Sequence, residues 1–419
     1  MPARPVLVSA PPELDLARPE EVGLNAAQLA RIDDHLRRRY LEPEKIAGCL
    51  TLVARGGKPA YLSAQGLMDR ERDRAMPPDT IFRIYSMTKP ITSVALMQLY
   101  EQGHFQLDDP VRKFIPEWGD LRVFESGNYP NFLTRPVDRP MTVRDLFTHQ
   151  SGLTYGFMER TNVDAAYREL GIGGPPAGGS LRQMIEQLAE LPLEFSPGEA
   201  WNYSVATDVL AYLVEVFSGQ PFDEYLQEHI FEPLGMVDTG FTVPASKVDR
   251  FAANYRRDRK KNLVLLDDPL TSHYTGKVSF FSGGGGLVST MHDYYRFCQM
   301  MLNGGTLENT RILGRKTVEL MTMNHLPSGS DLTDLAVGTF SETTYEGVGF
   351  GLGVSVTLDL AVAQAIGSVG EYGWGGAAST AFWIDPKEDL IVIFMVQFWM
   401  SGTFNFRGQL KSIVYPALT

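Results

Sequence analysis

Ser86 and Lys89 stand three residues apart at the front of an apolar-periodic run, Ile91, Val94, Leu96, Met97 and Leu99, that predicts a helix ending at Gly103. Side chains three apart on a helix are neighbours, so the Lys89 amine can reach the Ser86 hydroxyl if both face a cleft. A serine hydroxyl is a weak nucleophile until a partner takes its proton. A lysine does that only if burial or nearby cations lower its pKa towards neutrality. The helix start adds unpaired N–H groups and partial positive charge, so the N–H of Ser86 can also serve as one donor to an oxyanion.

Two further stretches could complete such a site. Tyr203 follows the loop Phe195-Ser196-Pro197-Gly198-Glu199-Ala200-Trp201-Asn202 and precedes a helix. Its hydroxyl can pass or accept a proton, and a cationic neighbour favours its phenolate. Gly373-Trp374-Gly375-Gly376-Ala377 is a glycine-rich entry to a strand, where a ligand can lie close to the backbone. The N–H of Ala377 is the candidate second oxyanion donor. Tyr155, Phe157 and Trp201 are candidate walls of an acyl pocket, although aromatic residues in a helical region are more often core.

These residues need a scaffold, and the pattern supplies one. Asn25 to Gln28 reads as a capping box opening a helix through Leu29, Ile32 and Leu36. Strand-like runs 46–54 and 59–65 flank Gly56-Gly57, a hairpin signal, and 81–84 is a short extended piece delivering the chain to Ser86. Residues 108–257 change texture to helices and Gly/Pro-rich loops, with capping boxes at Thr142 and Ser180, a helix from Ala206 to Phe217, and a loop at 171–179. Strand texture resumes at 347–358, 379–384 and 390–398, with helices at 289–302 and 406–415. The expected fold is α+β: an antiparallel sheet built from 1–107 and 258–419, flanked by helices, with 108–257 inserted as a mostly helical domain and the active site in the cleft between.

Composition narrows the function classes. The chain has 419 residues, 44% of them hydrophobic, which suffices for a large core. A net charge of −12 argues against nucleic acid or an anionic membrane as partner. The apolar stretch 390–400 is far shorter than the roughly twenty residues of a membrane span and reads as a buried strand. No secretory signal is visible, and the two cysteines, Cys49 and Cys298, form no disulfide framework, so a reduced, cytoplasmic setting is expected. The histidines lack zinc spacing and no G-x-S-x-G elbow occurs, so no metal or other cofactor is assigned. Ser282 to Gly286 lacks the Gly-Lys-Ser/Thr of a phosphate loop and reads as a flexible cleft wall. His149 is the one rival base for Ser86.

The order Ser86-x-x-Lys89, then Tyr203-Ser204-Val205, then Trp374-Gly375-Gly376 resembles the class C β-lactamase and penicillin-binding-protein superfamily, and within it the family VIII carboxylesterases. His149-Gln150-Ser151-Gly152-Leu153, Phe231 to Met236 and Gly285 to Thr290 agree, so the resemblance runs from about Glu21 to the C-terminus. It implies a serine β-lactamase-like fold, Ser86 as acylated nucleophile, Lys89 and Tyr203 as the pair that moves its proton, and Ser86 and Ala377 N–H groups as the oxyanion hole; His149 falls in a motif the family uses structurally. Where the β-lactamases have Lys-Thr-Gly this chain has Trp374-Gly375-Gly376, an aromatic wall in place of the cation, and where they have Tyr-x-Asn it has Val205. Loss of a cation and of an amide partner points to small uncharged esters rather than lactams. The rivals are a β-lactamase, D-amino-peptide hydrolase or acyltransferase on the same residues, and, more distantly, a non-catalytic scaffold. Acyl-chain length, stereochemical preference and oligomeric state stay open.

Overall fold

The computed structural model describes residues 14–173, 179–338 and 342–419. Most of the N-terminal arm and the centre of the loop at 171–179 lie outside them. The fold is α+β, around an eight-stranded sheet ordered Val348–Phe350, Ser355–Thr357, Tyr372–Gly375, Ala381–Asp385, Leu390–Val396, Gly48–Arg55, Lys58–Asp69, Arg74–Ala75. The two ends of the chain thus meet in one sheet, where Leu52 pairs with Ile393 and Cys49 with Val396 in antiparallel register. Gly56 and Gly57 turn the first hairpin at φ 60° and 73°, values that suit the two-residue turn glycine favours.

The apolar run 390–396 is the centre of this sheet because both of its faces are covered. Side chains alternate across a strand. Ile391, Ile393 and Met395 enter one buried cluster with the helix Thr88–Glu101, while Leu390, Val392, Phe394 and Val396 enter another with the N-terminal and C-terminal helices. Cys49 and Cys298 are buried in different clusters as free thiols. Among the described residues no helix is long and apolar enough to cross a membrane.

Several local expectations are corrected. Gln28 donates its backbone N–H to Asn25, but its side chain reaches Ile413 and ties the N-terminal helix to the C-terminal one instead of closing a capping box. The run at 347–358 is two strands, because Gly353 at φ 96° turns the chain between them. The stretch from 108 to 257 contains a hairpin, Arg122–Asn128 with Asn131–Pro136, besides its helices. The reciprocal capping boxes at Thr142 and Ser180 are present.

Candidate active site

The strand Ile81–Arg83 pairs with Val288–Thr290 and leads to Ser86. Arg83 is wholly buried and bonds Asp267 Oδ2 at 2.7 Å and the Ala252 carbonyl at 2.6 Å, with its guanidinium 3.9 Å over the Phe251 ring. Gln397, the polar interruption of the apolar run, accepts from the Arg83 N–H at 3.1 Å and donates to its carbonyl at 3.0 Å, fastening this short strand to the sheet. Tyr85 then takes φ 42°, an unusual left-handed conformation for a bulky residue, and the 3₁₀ turn Tyr85–Met87 runs into the helix Thr88–Glu101. Ser86 sits in that turn, 8% exposed.

The structure brings Ser86, Lys89 and Tyr203 together. The Tyr203 hydroxyl donates to Ser86 Oγ at 2.6 Å, and Lys89 Nζ lies 3.4 Å from the same oxygen. Lys89 also reaches the Tyr155 hydroxyl at 3.0 Å and the Gly284 carbonyl at 2.7 Å, and its Nζ stands 4.4 Å from the Tyr203 ring centroid. Burial lowers the Lys89 pKa to about 7, against the opposing pull of Asp208 and Glu342. An amine poised there is substantially neutral at physiological pH and has a lone pair for the Ser86 proton. Tyr203 goes the other way from the phenolate expectation: burial, with Glu342 adding to it, raises its pKa well above 10, because removing water costs more than its contacts with Ser86 and Trp374 return. It is a neutral phenol, able to relay a proton rather than store a charge.

His149 makes no hydrogen bond to Ser86 among the described residues. It is buried behind Tyr203, with ring centroids 4.9 Å apart, and its Nδ1 pairs with Ser204 Oγ at 3.2 Å. Burial, aided by Lys89, pushes its pKa well below 6.5, so it stays neutral.

Ser86 opens onto a cavity of about 800 Å³ whose walls include Tyr155, Phe157, Tyr203, Phe241, Phe280 and Ala377. Ala377 makes no backbone hydrogen bond through its N–H among the described residues, while its carbonyl accepts from Ser401 at 2.9 Å. Gly376 explains how this residue comes beside Ser86: a Cβ there would stand 2.4 Å from the Ile84 carbonyl oxygen and 2.3 Å from Thr380 Oγ1.

Trp374, Gly375, Gly376, Trp201 and Val205 are not among the residues that line the cavity. Trp374 and Trp201 are wholly buried, their rings 5.6 and 6.3 Å from Tyr203, which takes the cavity side and leaves them as its backing. Val205 is buried at the start of the helix Ala206–Ser218, donating its N–H to Thr154. Trp374 and Val205 therefore bear on the substrate only through the side chains they support.

Two carboxylates in this wall carried no sequence signal. Asp208 accepts from Ser282 Oγ at 2.6 Å and from the Gly284 N–H at 2.9 Å. It fixes the glycine loop whose carbonyl meets Lys89, so that wall is tied down rather than flexible. Gly284 has to be small, since a Cβ would lie 2.7 Å from Asp208 Oδ2 and 2.9 Å from the Tyr155 hydroxyl. The second carboxylate is Glu342, 1% exposed. An Asp and a Glu far apart in sequence have no spacing that points to one chamber; only the fold does.

Comparison with known proteins shows the family. A family model described as β-lactamase matches residues 34–407. Protein Rv1367c of Mycobacterium tuberculosis (strain ATCC 25618 / H37Rv) is 35% identical over 356 residues, covering 84% of this chain and 86% of its own. Esterase EstB of Burkholderia gladioli is 31% identical over 394 residues, 90% of this chain and 92% of its own. The solved structure of EstCE1, a hydrolase with promiscuous acyltransferase activity, superposes with a TM-score of 0.77 at 26% identity, covering 93% of this chain and 99% of that one.

Proposed function

The chain belongs to the β-lactamase family, and from that premise we propose that it is a serine carboxylesterase cleaving short-chain esters through an acyl-enzyme, without a cofactor, in the cytoplasm. The observation that carries the proposal is the Ser86 hydroxyl held between Tyr203 and Lys89 at 2.6 and 3.4 Å. In this reading neutral Lys89 takes the Ser86 proton, directly or through Tyr203, as Ser86 Oγ attacks the ester carbonyl. The N–H groups of Ser86 and Ala377 hold the oxyanion. Lys89 returns the proton to the departing alcohol, and a water molecule activated by the same pair then hydrolyses the acyl-enzyme.

Aromatic walls at Tyr155, Phe157, Phe241 and Phe280 support an apolar acyl group. Trp374, standing where a lactamase would carry its cation, supports an uncharged substrate, as does the esterase name of the Burkholderia relative. Acyl transfer is the second reading, favoured by the printed activity of EstCE1. A chain-length series of p-nitrophenyl esters, run beside nitrocefin and a D-Ala-D-Ala peptide and with an added alcohol, tests these alternatives. The proposal expects fastest turnover on the short esters; turnover confined to nitrocefin or the peptide contradicts it.

A further inference from the structure

Glu342 lines the cavity that Ser86 opens onto, yet neither of its carboxylate oxygens has a hydrogen-bond partner among the described residues. It shares that lining with Ser86, Tyr155 and Tyr203. Burying a carboxyl without partners is costly, so an orphan of this kind marks a missing donor. Arg407 faces Glu342 electrostatically, and no ion pair joins them. Its guanidinium lies against Gly375, where a Cβ would meet Nη2 at 2.8 Å. Ser401 Oγ is likewise buried and unpaired; it sits close enough to favour the ionised carboxyl without reaching hydrogen-bond geometry.

Burial raises the Glu342 pKa while Arg407 pulls it back towards the ionised form, and what the carboxyl lacks is a hydrogen-bond partner. An ammonium group would add a second cation beside Arg407. A hydroxyl adds none, and it can donate to Glu342. Resting on the esterase reading above, we propose that Glu342 forms a hydroxyl-recognising subsite, and that the preferred substrates are esters carrying a free hydroxyl near the reacting carbonyl.

The test uses two matched pairs in which hydroxyl replaces methyl: 2-hydroxyethyl against propyl butyrate, and methyl 3-hydroxybutyrate against methyl 3-methylbutanoate. A site that accepts a buried hydroxyl discriminates strongly against the analogue lacking it, so kcat/KM for the hydroxyl member of at least one pair should be higher by roughly tenfold or more. Glu342→Leu should reverse that preference, with active sites counted by fluorophosphonate titration of Ser86. Should the leucine variant fail to label, Glu342→Gln, which keeps the size and one acceptor oxygen, carries the test by a reduced preference. Equal rates within both wild-type pairs, or a preference that survives in the labelled variant, overturn the subsite. A wild-type protein that does not label at Ser86 overturns the esterase reading, and the subsite with it.

Discussion

The Tyr203 hydroxyl lies closer to Ser86 Oγ, at 2.6 Å, than Lys89 Nζ does, at 3.4 Å. Both groups contact the nucleophile, the phenol more closely, and the amine is the proton's destination. Tyr203→Phe keeps the ring between His149 and Trp374 and removes only the hydroxyl. It should lower kcat on p-nitrophenyl butyrate by about a hundredfold to ten-thousandfold, the usual worth of a positioned proton-transfer group. A thermal melt close to wild type would show that the loss is chemical.

Lys89 must be neutral to act as a base, so kcat/KM should rise with pH through about 7 and level off above it. Asp208 raises the lysine pKa, and its removal works in the opposite direction. In Asp208→Asn the rising limb should therefore move to lower pH. The same lysine makes stability pH-dependent. Between its folded pKa of about 7 and its ordinary value of 10.5 the unfolded chain holds a proton that the folded one does not, so its contribution to stability increases as pH rises across that window. Lys89→Met should abolish the kinetic limb and flatten that part of the stability profile, read by urea unfolding at several pH values.

Gly376 tests the oxyanion geometry. A methyl there meets the Ile84 carbonyl oxygen and Thr380 Oγ1 inside contact distance, so Gly376→Ala should push the Ala377 strand end away from Ser86. A displacement near 1 Å typically costs about a hundredfold. The expected signature is a fall in kcat with Ser86 still present and the chain folded, seen by ester kinetics beside circular dichroism.

Arg83 tests the support beneath the nucleophile. Replacing it by Met strands the Ala252 carbonyl and leaves the quarter-exposed Asp267 carboxylate with Ser272 as a donor, so the loss should be up to about 3–5 kcal/mol, the cost of breaking a fully buried pair. Urea unfolding of Arg83→Met should show a loss of that order, with unchanged activity only while the chain stays folded.

Local signals carried much of the fold. Gly56-Gly57 announced its hairpin, Thr142 and Ser180 their capping boxes, and the apolar run at 390–396 its burial. Ser86, Lys89 and Tyr203 were legible because helix spacing and motif order put chemistry-bearing residues in a recognisable sequence. What stayed hidden depends on which side chain stands in front of another. Trp374 looked like a wall and is the backing of Tyr203, since the strand brings its ring up behind the phenol. Asp208, Glu342 and Arg83 gave no periodicity at all, because their roles come from contacts between segments far apart in the chain, 74 residues for Asp208 and Ser282 and 184 for Arg83 and Asp267.

The central claim is that Ser86 is acylated, and covalent labelling tests it most directly. Wild-type protein treated with a phosphonate ester should gain one adduct by intact mass, located on Ser86 by peptide mapping, and Ser86→Ala should gain none and lose ester hydrolysis. An adduct on another residue, or hydrolysis that persists in Ser86→Ala, would contradict the account.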